Sequence, residues 1–171
     1  YTVCPGQLTI VTGWPGAGKS EWIDALMINL SRQNWKFAVF SAENMPVQVH
    51  IAKLMEKLAG RPFGHGIHQR ISQDDLAEYC DDLTQAFRFI SPRQESINLR
   101  SVVEVAERWL MDDDGRKRGL LVDPWNELEH FRPSGISETE YISESLSFIR
   151  NWARANDVHV WLVAHPQKVP R

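Results

Sequence analysis

The chain has 171 residues, of which 43% are hydrophobic, 24% charged and 10% aromatic. That length and apolar content support one domain with a buried core and exclude a disordered chain. Nineteen Lys and Arg against 22 Asp and Glu give a net charge of -3, so no overall basic field draws the chain to nucleic acid or an anionic membrane. No apolar run is long enough for a membrane-spanning helix, and no signal peptide is visible.

Strands and helices are expected to alternate five times. Leu8 to Thr12, introduced by Pro5-Gly6 and ended by Gly13, reads as a buried strand. Gly18 to about Arg32 reads as a helix whose apolar stripe joins Trp22, Leu26 and Leu30, with Ile23 and Met27 alongside. Lys36 to Ser41 is a second strand. Pro46 opens a helix with Ile51, Leu54, Met55 and Leu58 on one face, and Gly60 closes it. After a Gly/His/Arg-rich loop from Arg61 to Ile71, Ser72 and Asp75 form a capping pair for a polar helix ending near Gln85. Phe87 to Ser91 is a third strand, placed at an edge because Arg88 interrupts it. Leu99, Val102, Val103, Ala106, Trp109 and Leu110 mark a further amphipathic helix, ending at Asp112 to Gly115 before the basic run Arg116 to Arg118. Gly119 to Val122 is a fourth buried strand, Ser137 and Glu140 cap a helix carrying Ile142, Leu146, Ile149 and Ala153, and His159 to Ala164 is the fifth strand. No internal repeat or interdomain linker is visible.

Strands separated by helices of this length need crossover connections, so the expected fold is α/β, a mainly parallel sheet with helices on both faces. Ligands then bind beyond the carboxyl ends of the strands. Gly13-Trp14-Pro15-Gly16-Ala17-Gly18-Lys19-Ser20 follows the first strand and fits the phosphate-binding loop Gly-x-x-x-x-Gly-Lys-Ser/Thr, with a strand before it and a helix after. Its glycines let backbone N–H groups approach phosphates, and the following helix adds its positive end. Lys19 is suited to β- and γ-phosphate charge, and the Ser20 hydroxyl to Mg²⁺. Asp123 ends the apolar run Gly-Leu-Leu-Val, where an ionised carboxylate suits the Mg²⁺ shell.

Hydrolysis also needs a group that orients or deprotonates water. The residue after Asp123 is Pro124, so the base must lie elsewhere. Glu43, just past the second strand, is the best placed; Glu127 and Glu129 are its rivals. His165, after the fifth strand, could touch a γ-phosphate and report its loss, or could be a structural histidine. Of the tryptophans, Trp22, Trp109, Trp152 and Trp161 fall in core phase. Trp14 and Trp125 lie within the motifs, where base stacking is an alternative to packing. Cys4 and Cys80 lack a metal-ligand spacing and are expected as reduced thiols. His65 and His68 with Cys80 lack a fourth zinc ligand and read as a solvated loop.

Taken together, GQLTIVTGWPGAGKS, the Glu of SAEN, LLVDPWNELEHFRP and HVWLVAHP resemble the helicase domain of Twinkle-type and phage-type primase-helicases, in the DnaB-like branch of the RecA fold. The resemblance runs across nearly the whole chain. It implies a ring, usually a hexamer, that hydrolyses ATP or another NTP with Mg²⁺ at subunit interfaces and translocates on single-stranded DNA. It implies that Lys19 and Ser20 bind nucleotide and metal, Glu43 is the base, Asp123 the Walker B acid and His165 the phosphate sensor. The sensor strand should lie between the strands carrying the phosphate loop and Asp123. A single RecA-like core spanning 1–171 is expected, cut on its C-terminal side before the arginine finger and later DNA loop, so that alone it binds nucleotide but turns over slowly. Arg132, with Lys168 second, is the expected DNA contact, and a solvated cation is the alternative for each. The expected compartment is cytoplasmic, or an organelle matrix for a eukaryotic source. Competing readings are a recombinase-like or clock-type ATPase, a small-molecule or nucleotide kinase, and a nucleotide-gated binding module.

Overall fold

A computed structural model describes residues 2–64, 67, 69–91 and 97–166. In chain order the elements are β1 (Leu8–Thr12), α1 (Lys19–Ser31), β2 (Trp35–Ser41), α2 (Val47–Ala59), α3 (Gln73–Ala86), β3 (Phe87–Phe89), α4 (Leu99–Leu110), β4 (Lys117–Asp123), a 3-10 turn (Trp125–Glu127), α5 (Glu138–Ala155) and β5 (Val158–Ala164). The five strands form one parallel sheet in the order β1-β5-β4-β2-β3. The strand leading to His165, β5, therefore lies between β1 and β4, and β3 is at an edge, both as expected.

Alternation along the strands sorts side chains onto two cores. Ala38 and Phe40 of β2, Leu120 and Val122 of β4, and Val160 and Leu162 of β5 face α4 and α5, where they meet Val102, Ala106, Leu110, Ile149 and Trp152. The intervening Phe37, Val39, Leu121, Trp161 and Val163 face α1, α2 and α3, packing on Ile23, Met27, Leu54 and Leu83. Gly119 is the one thin point in β4. A Cβ there would lie 2.5 Å from the Phe37 ring and 3.0 Å from Trp161, so a side chain would displace the aromatic cluster.

The capping pairs form as the spacing predicts. Ser72 accepts from the Asp75 N–H while Asp75 reaches back to Ser72, and Ser137 and Glu140 do the same. Such caps contribute about 1 kcal/mol each. A third box, Asn98 with Ser101, starts α4.

Three expectations need correction. Trp22 is 45% exposed and does not belong to the core. The buried face of α1 is set by Ile23, Met27, Ile28 and Leu30, which leaves Trp22 at its border beside the phosphate-loop turn. The basic residues Lys117 and Arg118 start β4 and do not precede it; their polar side chains lie at the strand's entry, where the sheet is not yet covered on both faces. Finally, strand ends shift: β2 begins one residue earlier than expected, at the buried Trp35, β5 begins one residue earlier, at Val158, and β3 ends at Phe89, short of Ser91. Cys4 and Cys80 are both exposed and free. His65 and His68 lie outside the described residues. Among the described residues no helix is long and apolar enough to cross a membrane.

Candidate functional site

All five strands are parallel, so their carboxyl ends meet on one rim of the sheet. The turn Gly13–Gly18 carries the chain from β1 into α1. Gly16 and Gly18 adopt φ values of +77° and +79°, a left-handed conformation that side chains resist. Gly18 is also the N-cap of α1 and supplies no side-chain cap, so the first-turn N–H groups have no side chain folded over them. The Lys19 ammonium donates to the carbonyls of Gly13 at 2.9 Å and Trp14 at 3.1 Å. The loop thus holds its own cation across its mouth. Trp14 is 65% exposed at the tip.

In the first turn of α1, the Ser20 hydroxyl donates to Asp123 Oδ2 at 2.8 Å. Asp123 is fully buried at the end of β4, and its other oxygen, Oδ1, has no hydrogen-bond partner among the described residues. Burial pushes its carboxyl above the ordinary range, against the Ser20 hydrogen bond, and the nearby charges of Glu43 and Asp24 push the same way. An orphaned buried carboxylate oxygen beside a serine hydroxyl is a hard-oxygen donor pair that fits Mg²⁺.

Asp24, four residues after Ser20 on the same helix, pairs through Oδ1 with His50 Nε2 of α2 at 2.9 Å, both side chains being 1% exposed. The apolar face of α1 is therefore polar where it faces the site. An acid at the i+4 position from the loop serine was the sequence signal for it, and it was missed.

Glu43 and His165 meet across the rim. His165 follows β5 directly and Glu43 lies two residues past β2, and His165 Nε2 is 2.7 Å from Glu43 Oε1. The Glu43 loop is held from behind by the buried Asn44, which donates to the Ser41 hydroxyl at 3.0 Å and accepts from Lys53 of α2 at 2.9 Å. Ala42 N–H donates to the Asp123 carbonyl at 2.9 Å, tying the same loop to the end of β4.

The rival acids fall elsewhere. Glu127 is exposed in the 3-10 turn, and Glu129 Oε2 is buried without a hydrogen-bond partner among the described residues. Asn126, in that turn, bonds the backbone of His165; sequence reasoning passed over it. Arg132 is exposed and lines an open cleft of about 590 Å³ with Trp125, His130 and Tyr141. There the Trp125 and His130 rings lie 4.5 Å apart. Lys168 lies outside the described residues.

Of the expected site residues, the fold thus gathers Gly13 to Ser20, Glu43, Asp123 and His165 on one rim, with Arg132 in the adjoining loop. A five-stranded parallel sheet ordered in this way, with helices on both faces, is the fold of the RecA-like ATPase domains of DnaB-like helicases. One solved relative in fold is a DnaB-like replicative helicase described in its interactions with primase; it superposes with a TM-score of 0.69 at 16% identity over 96% of this chain and 40% of that one. Another, solved as an ATPase domain, gives a TM-score of 0.71 at 17% identity over 94% of this chain and 57% of its own. In sequence, the chain is 40% identical over 176 residues to the Twinkle homolog protein, chloroplastic/mitochondrial, of Arabidopsis thaliana. That similarity takes in 99% of this chain and 24% of the plant protein. Sequence and fold thus agree on one resemblance, a DnaB-like ATPase core of Twinkle type. No protein-family model matches the chain.

Proposed function

We propose that this chain is the nucleotide-hydrolysing core of a ring-shaped replicative DNA helicase that moves on single-stranded DNA. The observation that carries the reading is the Glu43–His165 contact at 2.7 Å on the same rim as the Ser20–Asp123 contact at 2.8 Å. A base, a sensor, a metal-binding pair and a phosphate loop there converge from four strands.

In this reading the N–H groups of the glycine turn and of the first turn of α1 receive the β- and γ-phosphates. Lys19 exchanges the Gly13 and Trp14 carbonyls for phosphate oxygens, so its charge is already aimed at the loop before nucleotide arrives. Ser20 and Asp123 would hold Mg²⁺, which when bound neutralises phosphate charge. Glu43 orients the attacking water and takes its proton. His165 donates a hydrogen bond from Nε2–H to the γ-phosphate and returns to Glu43 when that phosphate leaves. Arg132 beside the Trp125 and His130 rings suits a phosphate and a stacked base, which supports single-stranded DNA binding at the loop after β4. A DNA-containing compartment, whether cytoplasm or organelle matrix, suits this role.

The test is ATP hydrolysis by the full-length protein with and without single-stranded DNA, alongside its mass in solution. The reading expects DNA-stimulated release of phosphate, a ring-sized assembly and, in Lys19→Ala, Mg·ATP affinity weakened roughly 10- to 100-fold, as for a lost charged hydrogen bond. Phosphate appearing on a small acceptor, or unchanged affinity in Lys19→Ala, would overturn it.

A further inference from the structure

We propose that Asn126 is a positioning residue for hydrolysis: its side chain clamps the backbone of His165 and so aims the imidazole at Glu43. The inference rests on the proposed roles of Glu43 and His165 and adds the residue that makes them a unit.

The β4–β5 pairing ends at Val122 and Leu162. Beyond it the β4 chain turns away at Pro124, so the His165 peptide has left the ladder on that side. Asn126 takes the place of the missing strand. Its Oδ1 accepts from the His165 N–H at 2.7 Å, and its Nδ2 donates to the His165 carbonyl at 3.5 Å. The amide therefore brackets a single residue from both sides.

The platform beneath it is firm. Glu127 N–H bonds the Pro124 carbonyl and Leu128 N–H bonds the Trp125 carbonyl. Leu128 is buried at 4% exposure, and Trp125 packs against the α4–α5 core. Asn126 is also only three positions from Asp123, so movement at the metal-binding acid is carried to the sensor through one short turn.

A second observation gives the clamp a use. A working histidine is commonly oriented by a hydrogen bond on its other ring nitrogen. Here Nδ1 of His165 is buried and has no hydrogen-bond partner among the described residues. Among the described residues Glu43 is the one hydrogen-bond partner of the ring, so its aim depends also on where the backbone is held. With the clamp released, His165 is the first residue after a strand, and its ring loses the fixed pivot from which it moves between Glu43 and the γ-phosphate.

A purely structural asparagine would satisfy two peptide groups and nothing more. The two roles separate in a double-mutant cycle on the full-length protein with Asn126→Ala, His165→Ala and the pair. Asn126→Ala should lower ATP turnover by roughly 10- to 100-fold, the scale of a misaimed catalytic group. Its Mg·ADP affinity and melting temperature should stay near wild type. In the His165→Ala background it should lower turnover no further. Multiplying losses, or a loss of turnover matched by a fall in melting temperature, would overturn the positioning role. Hydrogen exchange at the His165 amide gives a readout independent of catalysis: it should speed up in Asn126→Ala, and unchanged exchange would overturn the clamp. Wild-type turnover in His165→Ala would instead sink the sensor assignment, and the exchange measurement would still decide the clamp.

Discussion

At the amino-terminal end of the sheet Lys36 is fully buried in β2, yet its ammonium donates to the Asp112 carbonyl at 2.9 Å and to Asp114 Oδ2 at 3.0 Å. At the carboxyl-terminal end Asp123 is equally buried, and one of its oxygens has no partner among the described residues. Around Lys36 the surroundings are complete. Trp109 is flanked by the Arg88 guanidinium at 4.0 Å and the Lys36 ammonium at 5.1 Å, and Arg116 grips Asp114. The Arg116 guanidinium, with help from Lys36, holds the Asp114 carboxyl well below the usual carboxylate range. Around Asp123 the carboxyl is pushed the other way, by burial and by neighbouring acids. A buried charge that is fully partnered serves the fold, whereas one left partly unpartnered at a strand end is ready for a ligand.

The contrast can be broken at either end. The larger stability effect is expected at the satisfied end. Asp114→Ala leaves Lys36 buried with a carbonyl as its remaining hydrogen-bond partner and should lower the unfolding free energy by about 2 kcal/mol, the scale of one hydrogen bond to a charged group, because Asp114 itself is exposed and partly screened by water. The deficit should depend on pH. Because the folded-state carboxyl titrates below its unfolded value, its contribution is complete above the ordinary carboxylate range and fades as the pH falls below about 4. Urea melts at neutral and acid pH check this; a deficit that grows in acid would contradict it.

At the other end the sign reverses. Asp123→Asn keeps the acceptor for Ser20 and removes a buried charge, so the nucleotide-free protein should gain about 1 kcal/mol. The folded-state carboxyl titrates above its unfolded value, so this gain should be absent in acid and appear as the pH rises above about 4. The same variant should lose Mg²⁺-dependent nucleotide affinity. Calorimetric melts and binding titrations of one sample read both effects, and a destabilised Asp123→Asn would show that the carboxylate is structural after all.

Much of this was legible in the sequence because the relevant signals are local. Gly13 to Ser20, Asp123 and His165 each sit at the end of an apolar run, and parallel strands bring such ends together whatever the order of the sheet. The place of β5 between β1 and β4 was not in the periodicity; it came from the resemblance, while the edge position of β3 was read from Arg88. What the sequence hid depends on packing from a distance. Trp22 has the same spacing as true core residues of α1, and only the position of the neighbouring elements leaves it exposed. Lys36 reads as an ordinary polar strand residue until the end of α4 is folded over it. Asn126 looks like a turn former after Pro124, since its partner lies 39 positions away in the chain.

The central claim is that Glu43, paired with His165, is the hydrolytic base. The direct measurement is steady-state ATP turnover and Mg·ATP affinity for Glu43→Gln and Glu127→Gln in the full-length protein, side by side. Glu43→Gln should keep nucleotide affinity while turnover falls roughly 10²- to 10⁴-fold, the usual loss for a removed general base, and Glu127→Gln should stay near wild type. Turnover surviving in Glu43→Gln and lost in Glu127→Gln would contradict it.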